Sequence, residues 1–278
     1  MSIVDEVSER DLERQVKTYK PGVVPDILEF NAKEASGSVA SQMNRQVVGM
    51  PRKSVTVLLP ALNEEEGIGE VIDSIPRQEI ENNGYKLNIV VVDGHSKDMT
   101  RKIAVEKGAE ILLQRGQGKG NAVRTGFDIL DSDFLIMMDA DNSYPCCEIP
   151  TFLESLEKGA DVVMGSRFMG HIEDGAMSDL NRAGNRILSF MASRLFNVKT
   201  TDVCTGMWGF NRKAKDNFRL NSHGFEIEAE MFAQAAKGNL IIHEVPINYT
   251  KRHGYAKLVS LDCGMKIAFK LIRKKFIR

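Results

Sequence analysis

The 278-residue sequence holds only four cysteines, one tryptophan and eight prolines, and its formal net charge is −1. Each shortage excludes something. Cys146, Cys147, Cys204 and Cys263 match no zinc-binding spacing, and adjacent Cys146 and Cys147 suit a structural disulfide poorly. Reduced thiols in a cytosolic protein are therefore expected. A charge near zero gives the whole molecule no attraction to nucleic acid, which is excluded as a partner. No apolar run approaches the roughly 18 to 20 residues that span a bilayer. Met1 to Arg14 is acidic and polar, unlike a secretory leader, so a cytoplasmic chain is expected.

What is present is ordinary globular composition, 42% apolar and 27% charged, in a chain long enough for a sizeable core. Residues 1–50 differ from the rest. Asp5 to Lys20 has the makings of a polar helix, stopped by Pro21, Gly22 and Pro25, and Ser36, Gly37, Ser38 and Ser41 read as a link. This stretch is taken as an accessory N-terminal arm, residues 51–257 as the catalytic domain, and residues 258–278 as a terminal helix.

From Val55 onward apolar strands alternate with helices. Strands are predicted at Ser54–Pro60, Leu87–Asp93, Ala109–Leu113, Phe134–Asp139 and Asp161–Met164. Helices are predicted at Glu64–Ile75, Ser96–Lys107 with Ser96 as cap, Lys119–Leu130 and Ile149–Lys158. Strands apolar throughout and alternating with helices indicate a mainly parallel sheet covered on both faces, an α/β fold. Ligands of such sheets bind beyond the carboxyl ends of the strands. Those ends carry Pro60–Glu64, Asp93–Asp98 and Asp139–Ser143. The second half is less regular, with helices at Asp179–Phe196 and Phe225–Lys237 and strands at Met207–Phe210 and Leu240–Val245.

Asp139-Ala140-Asp141 directly follows an apolar strand, so both carboxylates can face one site. Hard divalent cations take oxygen ligands, often one or two carboxylates plus phosphate oxygens. On its own the triplet reads equally well as a solvated loop. Gly116-Gln117-Gly118-Lys119-Gly120-Asn121 opens a helix, a place that suits an anion, and Lys119 adds a cation. The spacing is not that of a P-loop. The five histidines show no ligand spacing.

In this order the elements resemble the GT-A fold of inverting glycosyltransferase family 2, and within it the polyprenyl-phosphate and dolichyl-phosphate sugar transferases. The resemblance runs from Val55 to Leu258. It implies a metal-dependent hexosyltransferase using Mg²⁺ or Mn²⁺. By resemblance, Pro60, Leu62, Asn63, Glu64, Asp93, Lys119, Asp139, Ala140, Asp141, Arg252 and Lys257 bind the nucleotide sugar, whose base is uracil or guanine. Asp139, Asp141 and Ser143 fall where the metal is held. Asp141, Asp202 and Arg167 are the expected catalytic residues. Arg167, Arg182 and Arg186 are expected at an acceptor phosphate, because guanidinium offers paired donors. The sequence departs from the family in having Asp93-Gly94 rather than two aspartates, His95 at a position often glycine, and Ser143 where some members carry glutamine.

A phosphate acceptor is largely ionised at neutral pH and needs no strong base. A hydroxyl acceptor needs one, and Asp202, Glu226 and Glu228 are the candidates. Leu258, Leu261, Met265, Ala268, Phe269, Ile272 and Phe276 form one apolar stripe, opposite Lys266, Lys270, Arg273, Lys274, Lys275 and Arg278. A basic amphipathic helix is read as a membrane-surface element, giving peripheral association with the cytoplasmic face of the membrane. The competing reading docks this helix on the domain with its charges in solvent. The expected activity moves a sugar to a polyprenyl (dolichyl) phosphate for protein glycosylation or surface glycan synthesis, alone, as a homo-oligomer or with a membrane partner. The alternatives are a soluble transferase with a small phosphorylated acceptor such as phosphoglycerate, and a nucleotidyltransferase or nucleotide-sugar-binding protein.

Overall fold

The computed structural model describes residues 52–252 and 260–276. The N-terminal arm and Lys257 lie outside the described residues. The chain runs β1 (Ser54–Ala61), α1 (Ile68–Ser74), α2 (Arg77–Asn82), β2 (Lys86–Asp93), α3 (Thr100–Glu106), β3 (Glu110–Leu113), α4 (Lys119–Ile129) and β4 (Phe134–Met137). It continues through α5 (Ile149–Glu157), β5 (Val162–Ser166), α6 (Asp179–Phe196), β6 (Trp208–Asn211), α7 (Arg212–Asn217), α8 (Ile227–Lys237), β7 (Ile242–Pro246) and α9 (Ser260–Phe276).

The strands form one sheet of order β3-β2-β1-β4-β6-β5-β7. All pairings are parallel except those of β6, which runs antiparallel to β4 and β5. The expected α/β fold is therefore present, and its central strands are apolar because helices cover both faces. One core under the sheet gathers Val57, Leu59, Val91, Ile136 and Phe152. The other gathers Leu58, Val92, Met137, Trp208, Phe210 and Phe232. The alternation Val57–Leu58–Leu59 between the two cores is the period of two expected of a strand buried on both sides.

Parallel register aligns the strand ends. Ala61 of β1 lies beside Asp93 of β2, which lies beside Leu113 of β3. Three of the following turns pass through left-handed residues: Asn63 at φ 49°, His95 at φ 67° and Asn142 at φ 60°. The φ of His95 explains why glycine is common there, since only glycine takes that conformation without a steric cost.

Several predicted bounds are corrected. Glu64–Gly67 is a turn and α1 begins at Ile68, because Glu64 accepts from the amides of Gly67 and Ile68 before the helix is regular. Ser96 does not cap α3. Its amide donates to Asp93 Oδ2 and its hydroxyl accepts from the Asn63 amide, tying the β1 and β2 ends together. The β4 strand stops at Met137, so Asp139 lies in the loop beyond it.

Candidate active site

A cavity of about 310 Å³ opens at the carboxyl edge of the sheet. Of the sequence-predicted residues, Pro60, Leu62, Glu64, Lys119, Asp139, Ala140, Asp141, Arg167 and Arg252 line it together. Ala61, Gln114, Gly118, Ala122, Tyr144, Cys204, Phe225, Tyr249 and Ile267 complete the wall, with Glu228, which the sequence offered only as a candidate base.

Charge in the cavity is arranged in pairs. Lys119 Nζ lies 2.5 Å from Asp139 Oδ1 and 2.6 Å from Glu228 Oε1. Burial opposes the Lys119 charge, but Asp139 and Glu228 more than offset it and hold the ammonium well above the ordinary lysine range. Burial pushes Glu228 up and Lys119 pulls it back, with a net rise. Glu228 is thus engaged as a lysine partner rather than standing as a free base. Arg252 Nη1 lies 3.1 Å from Asp141 Oδ2, and its Nη2 donates to the Tyr249 hydroxyl at 3.2 Å.

Asp139 approaches this position because Gly206 faces it. A Cβ at residue 206 would sit 2.3 Å from Asp139 Oδ2. Gly118 and Gly120 are required by packing as well. A Cβ at either would meet the carbonyl oxygen of His223 or Ser222 at 2.4 and 2.6 Å. The Gly-rich stretch is therefore where the 222–223 loop crosses the start of α4, and only Gly118 and Lys119 of it face the cavity.

Three predicted roles change. Ser143 is fully buried, and its hydroxyl and amide both donate to Asp141 Oδ1, at 2.5 and 3.1 Å. It braces the carboxylate and does not reach the cavity. Asp202, also fully buried, accepts from Arg167 Nε at 2.7 Å, from Arg167 Nη2 at 2.8 Å and from Asn185 Nδ2 at 2.7 Å. With both oxygens engaged, it holds the Arg167 guanidinium in place. Arg182 and Arg186 lie on α6 outside the cavity wall, and the Arg186 guanidinium covers the Phe168 ring at 5.4 Å. The i, i+4 spacing could not reveal which face of α6 turns inward; Asn185, between them, does.

Asp93 sits behind the wall, fully buried. Its Oδ2 accepts from the Ser96 amide, while Oδ1 and Ser132 Oγ are the buried side-chain oxygens without a hydrogen-bond partner among the described residues.

Among the described residues no group of three or more histidine, cysteine, aspartate and glutamate side chains is arranged to hold a metal. Asp139 and Asp141 nevertheless present carboxylate oxygens to one cavity, which is the protein share that Mg²⁺-type sites take when substrate phosphates supply the remainder. The donor set fits such an ion.

Known proteins share this arrangement of elements. The chain is 35% identical to glycosyltransferase AglJ of Haloferax volcanii over 200 residues, 72% of this chain and 64% of that protein. It is 33% identical to the dolichyl-phosphate hexose transferase of the same organism over 219 residues, 79% of this chain and 92% of that protein. A match to the low-salt glycan biosynthesis hexosyltransferase Agl6 covers 53% of its length, so the chain spans less than two thirds of AglJ and Agl6. Among solved structures, glucosyl-3-phosphoglycerate synthase from Mycobacterium tuberculosis in complex with Mn²⁺, uridine diphosphate and glucosyl-3-phosphoglycerate superposes with a TM-score of 0.64 at 22% identity, over 81% of each chain. That likeness establishes the GT-A type of fold. Residues 56–218 match the family Glycosyl transferase family 2. With more than half its length matched and its sheet of that architecture, the chain belongs to glycosyl transferase family 2.

Proposed function

We propose that this glycosyltransferase moves a hexose from a UDP- or GDP-hexose to a polyprenyl (dolichyl) phosphate, with Mg²⁺ or Mn²⁺, at a membrane surface. The observation that carries the reading is the cavity itself: the carboxylates of Glu64, Asp139, Asp141 and Glu228 and the cations of Lys119, Arg252 and the buried Arg167 converge at the ligand-binding edge of the sheet. The relative named dolichyl-phosphate hexose transferase, matched over 92% of its length, supports the acceptor class.

Asp139 and Asp141 would hold the divalent ion. When bound, it neutralises charge on the departing nucleoside diphosphate. Lys119 and Arg252 bring positive charge to the same wall, where donor phosphates lie. Pro60 and Leu62 line the side suited to the base, and Asp93, buried behind them, braces the Ser96 turn that holds the Asn63 amide. Arg167, clamped by Asp202, offers a preorganised guanidinium to the acceptor phosphate at no rotamer cost on binding. The acceptor oxygen is already anionic, so attack at the anomeric carbon inverts it in one displacement without a general base. Asp202 and Glu228, both engaged with cations, fit that economy.

The second reading, a small phosphorylated acceptor, is favoured by the fold neighbour bound to glucosyl-3-phosphoglycerate. One experiment separates them. The purified protein is incubated with Mn²⁺, a panel of UDP- and GDP-hexoses, and either a short polyprenyl phosphate or 3-phosphoglycerate. Polyprenyl-phosphate hexose as product, abolished in Asp141→Asn, supports the proposal. Product on phosphoglycerate alone assigns the second reading. No transfer with any pair rejects both.

A further inference from the structure

The terminal helix docks through the face opposite its apolar stripe. Ile267 and Leu271 are buried against α6 and α8, and two lysines go in with them. Lys274 Nζ lies 2.5 Å and Lys270 Nζ 3.8 Å from the fully buried Glu230 carboxylate of α8. The large residues of the stripe from Met265 onward face outward instead. Met265 is 66% exposed, Phe269 66%, Ile272 44% and Phe276 77%.

The neighbouring α6 repeats the pattern. Its inner face carries Asn185, Ser189, Ala192 and Phe196. Its outer face carries Leu180 at 57%, Ile187 at 67% and Phe190 at 64% exposure, spaced by seven and three residues on one helical stripe. Seven of the eleven large apolar side chains most exposed among the described residues therefore sit on two helices packed against each other. Scattered exposed apolar residues need no explanation, but a concentration of them does. The flanks are basic. Lys266, Arg273 and Lys275 border the α9 stripe, Arg186 and Arg194 border the α6 stripe, and the acids on the two helices are Asp179 and Asp262.

We infer that α6 and α9 together form a bilayer-docking face that takes anionic lipid. This deepens the proposal above and rests on its lipid-phosphate acceptor. An outward apolar stripe edged by long cationic side chains inserts at the acyl boundary while the charges meet headgroup phosphates. Lys266 pairs with Asp262 on its own helix, but Arg186, Arg194, Arg273 and Lys275 have no carboxylate partner among the described residues, and this unbalanced positive charge selects an anionic bilayer over an apolar protein partner. The same two helices reach the active site from their other sides. Ile267 of α9 lines the cavity, and Asn185 of α6 holds Asp202, which clamps Arg167.

The test is flotation of the full-length protein with vesicles of phosphatidylcholine alone or mixed with phosphatidylglycerol, alongside gel filtration. Wild type is expected to float with the anionic vesicles. Ile187→Glu with Phe190→Glu on α6, and separately Phe269→Glu with Phe276→Glu on α9, are each expected to lower partitioning about tenfold or more, since each removes two large apolar groups from the interface. Circular dichroism and UDP-hexose affinity should be unchanged. Absence of vesicle binding by the wild type overturns the inference. So does binding that survives the α6 pair, or a dimer dissolved by these substitutions without vesicle binding, which assigns the face to a second copy. Vesicle binding without sugar transfer would leave the docking face standing and reject the proposed reaction.

Discussion

At the scale of single residues, the site is a set of carboxylates that each hold a cation in place. Lys119 has two, and the division of labour between Asp139 and Glu228 is testable. Asp139 lies where the metal is proposed, so donor binding draws on it, and Glu228 is left to orient the lysine. Glu228→Gln keeps the shape and removes the charge. It is expected to raise the donor KM about tenfold with a smaller change in kcat, an effect of lost positioning. Steady-state kinetics decide; an unchanged KM would make Glu228 a structural partner only. The pH profile gives a second readout. The Glu228 pKa is raised in the fold, so its proton binds the folded state more readily; that contribution to stability is fully present below the unfolded value of 4.5 and is lost as pH rises from there through the higher folded value. Lys119 moves upward from an already basic value and stays charged across any assay range. Arg252 supplies a different test. It neutralises Asp141 at 3.1 Å. Arg252→Ala is expected to bind Mn²⁺ alone more tightly by calorimetry while transfer falls by about 10²-fold. Weaker Mn²⁺ binding in that variant would show that Asp141 does not share its charge between the two cations.

At the scale of elements, α8 carries its two buried acids to two destinations. Glu228 goes to the cavity, and Glu230, two residues on, goes to α9. Glu230 also accepts from the amides of Asn221 and Ser222, the loop that crosses Gly118 and Gly120. Burial alone raises a carboxyl, but Lys274 and the loop amides outweigh it and hold Glu230 below its ordinary value. The sign is therefore opposite to that of Glu228. The stabilisation is fully present above the unfolded value of 4.5 and is lost as pH falls through the lower folded value. Glu230→Ala leaves two lysines facing a buried void and is expected to cost about 3 to 5 kcal/mol in urea unfolding at pH 7. Against Glu230→Gln, the wild-type advantage should shrink as the pH is lowered below 4.5; a pH-independent gap would assign it to packing. Nothing in the sequence announced this tie. The apolar runs of β1, β2 and β4 were legible because a strand buried on both faces has no polar position, and the sheet edge followed from their ends. The antiparallel sense of β6 was not, because an apolar run has no direction. The short polar helices α2 and α7 lack a periodic stripe. In α9 the apolar stripe was legible, but two residues, Ile267 and Leu271, decide which side docks, and a pair of apolar residues among lysines carries little signal beside four others on one face.

At the scale of the whole molecule, the sheet divides the site by chain order. The parallel half from β1 to β4 supplies Pro60, Leu62, Lys119, Asp139 and Asp141. The half after β5 supplies Arg167, Cys204, Phe225, Glu228, Tyr249, Arg252 and Ile267. The sequence showed the first half clearly, since its residues lie at strand ends a few positions apart. It showed the second poorly, since Arg167, Asn185 and Asp202 meet only through the fold. Glu228 and Arg252 of the second half turn to the donor side through Lys119 and Asp141, so the acceptor test falls on Arg167: a lesion that loosens it alone should touch the acceptor and spare the donor. Asn185 is suited to that test because it faces Asp202, not the cavity. Asn185→Ala removes one of the bonds to Asp202 and loosens the carboxylate that fixes Arg167. It is expected to raise the KM for the phosphate acceptor about tenfold while donor affinity, measured by calorimetry with UDP-hexose and Mn²⁺, stays within about twofold. Asn185→Asp places a second carboxylate against Asp202 and should be worse than alanine, since like charges buried together repel. Equal losses in donor and acceptor binding would mean that Arg167 serves both substrates and that the acceptor assignment is wrong.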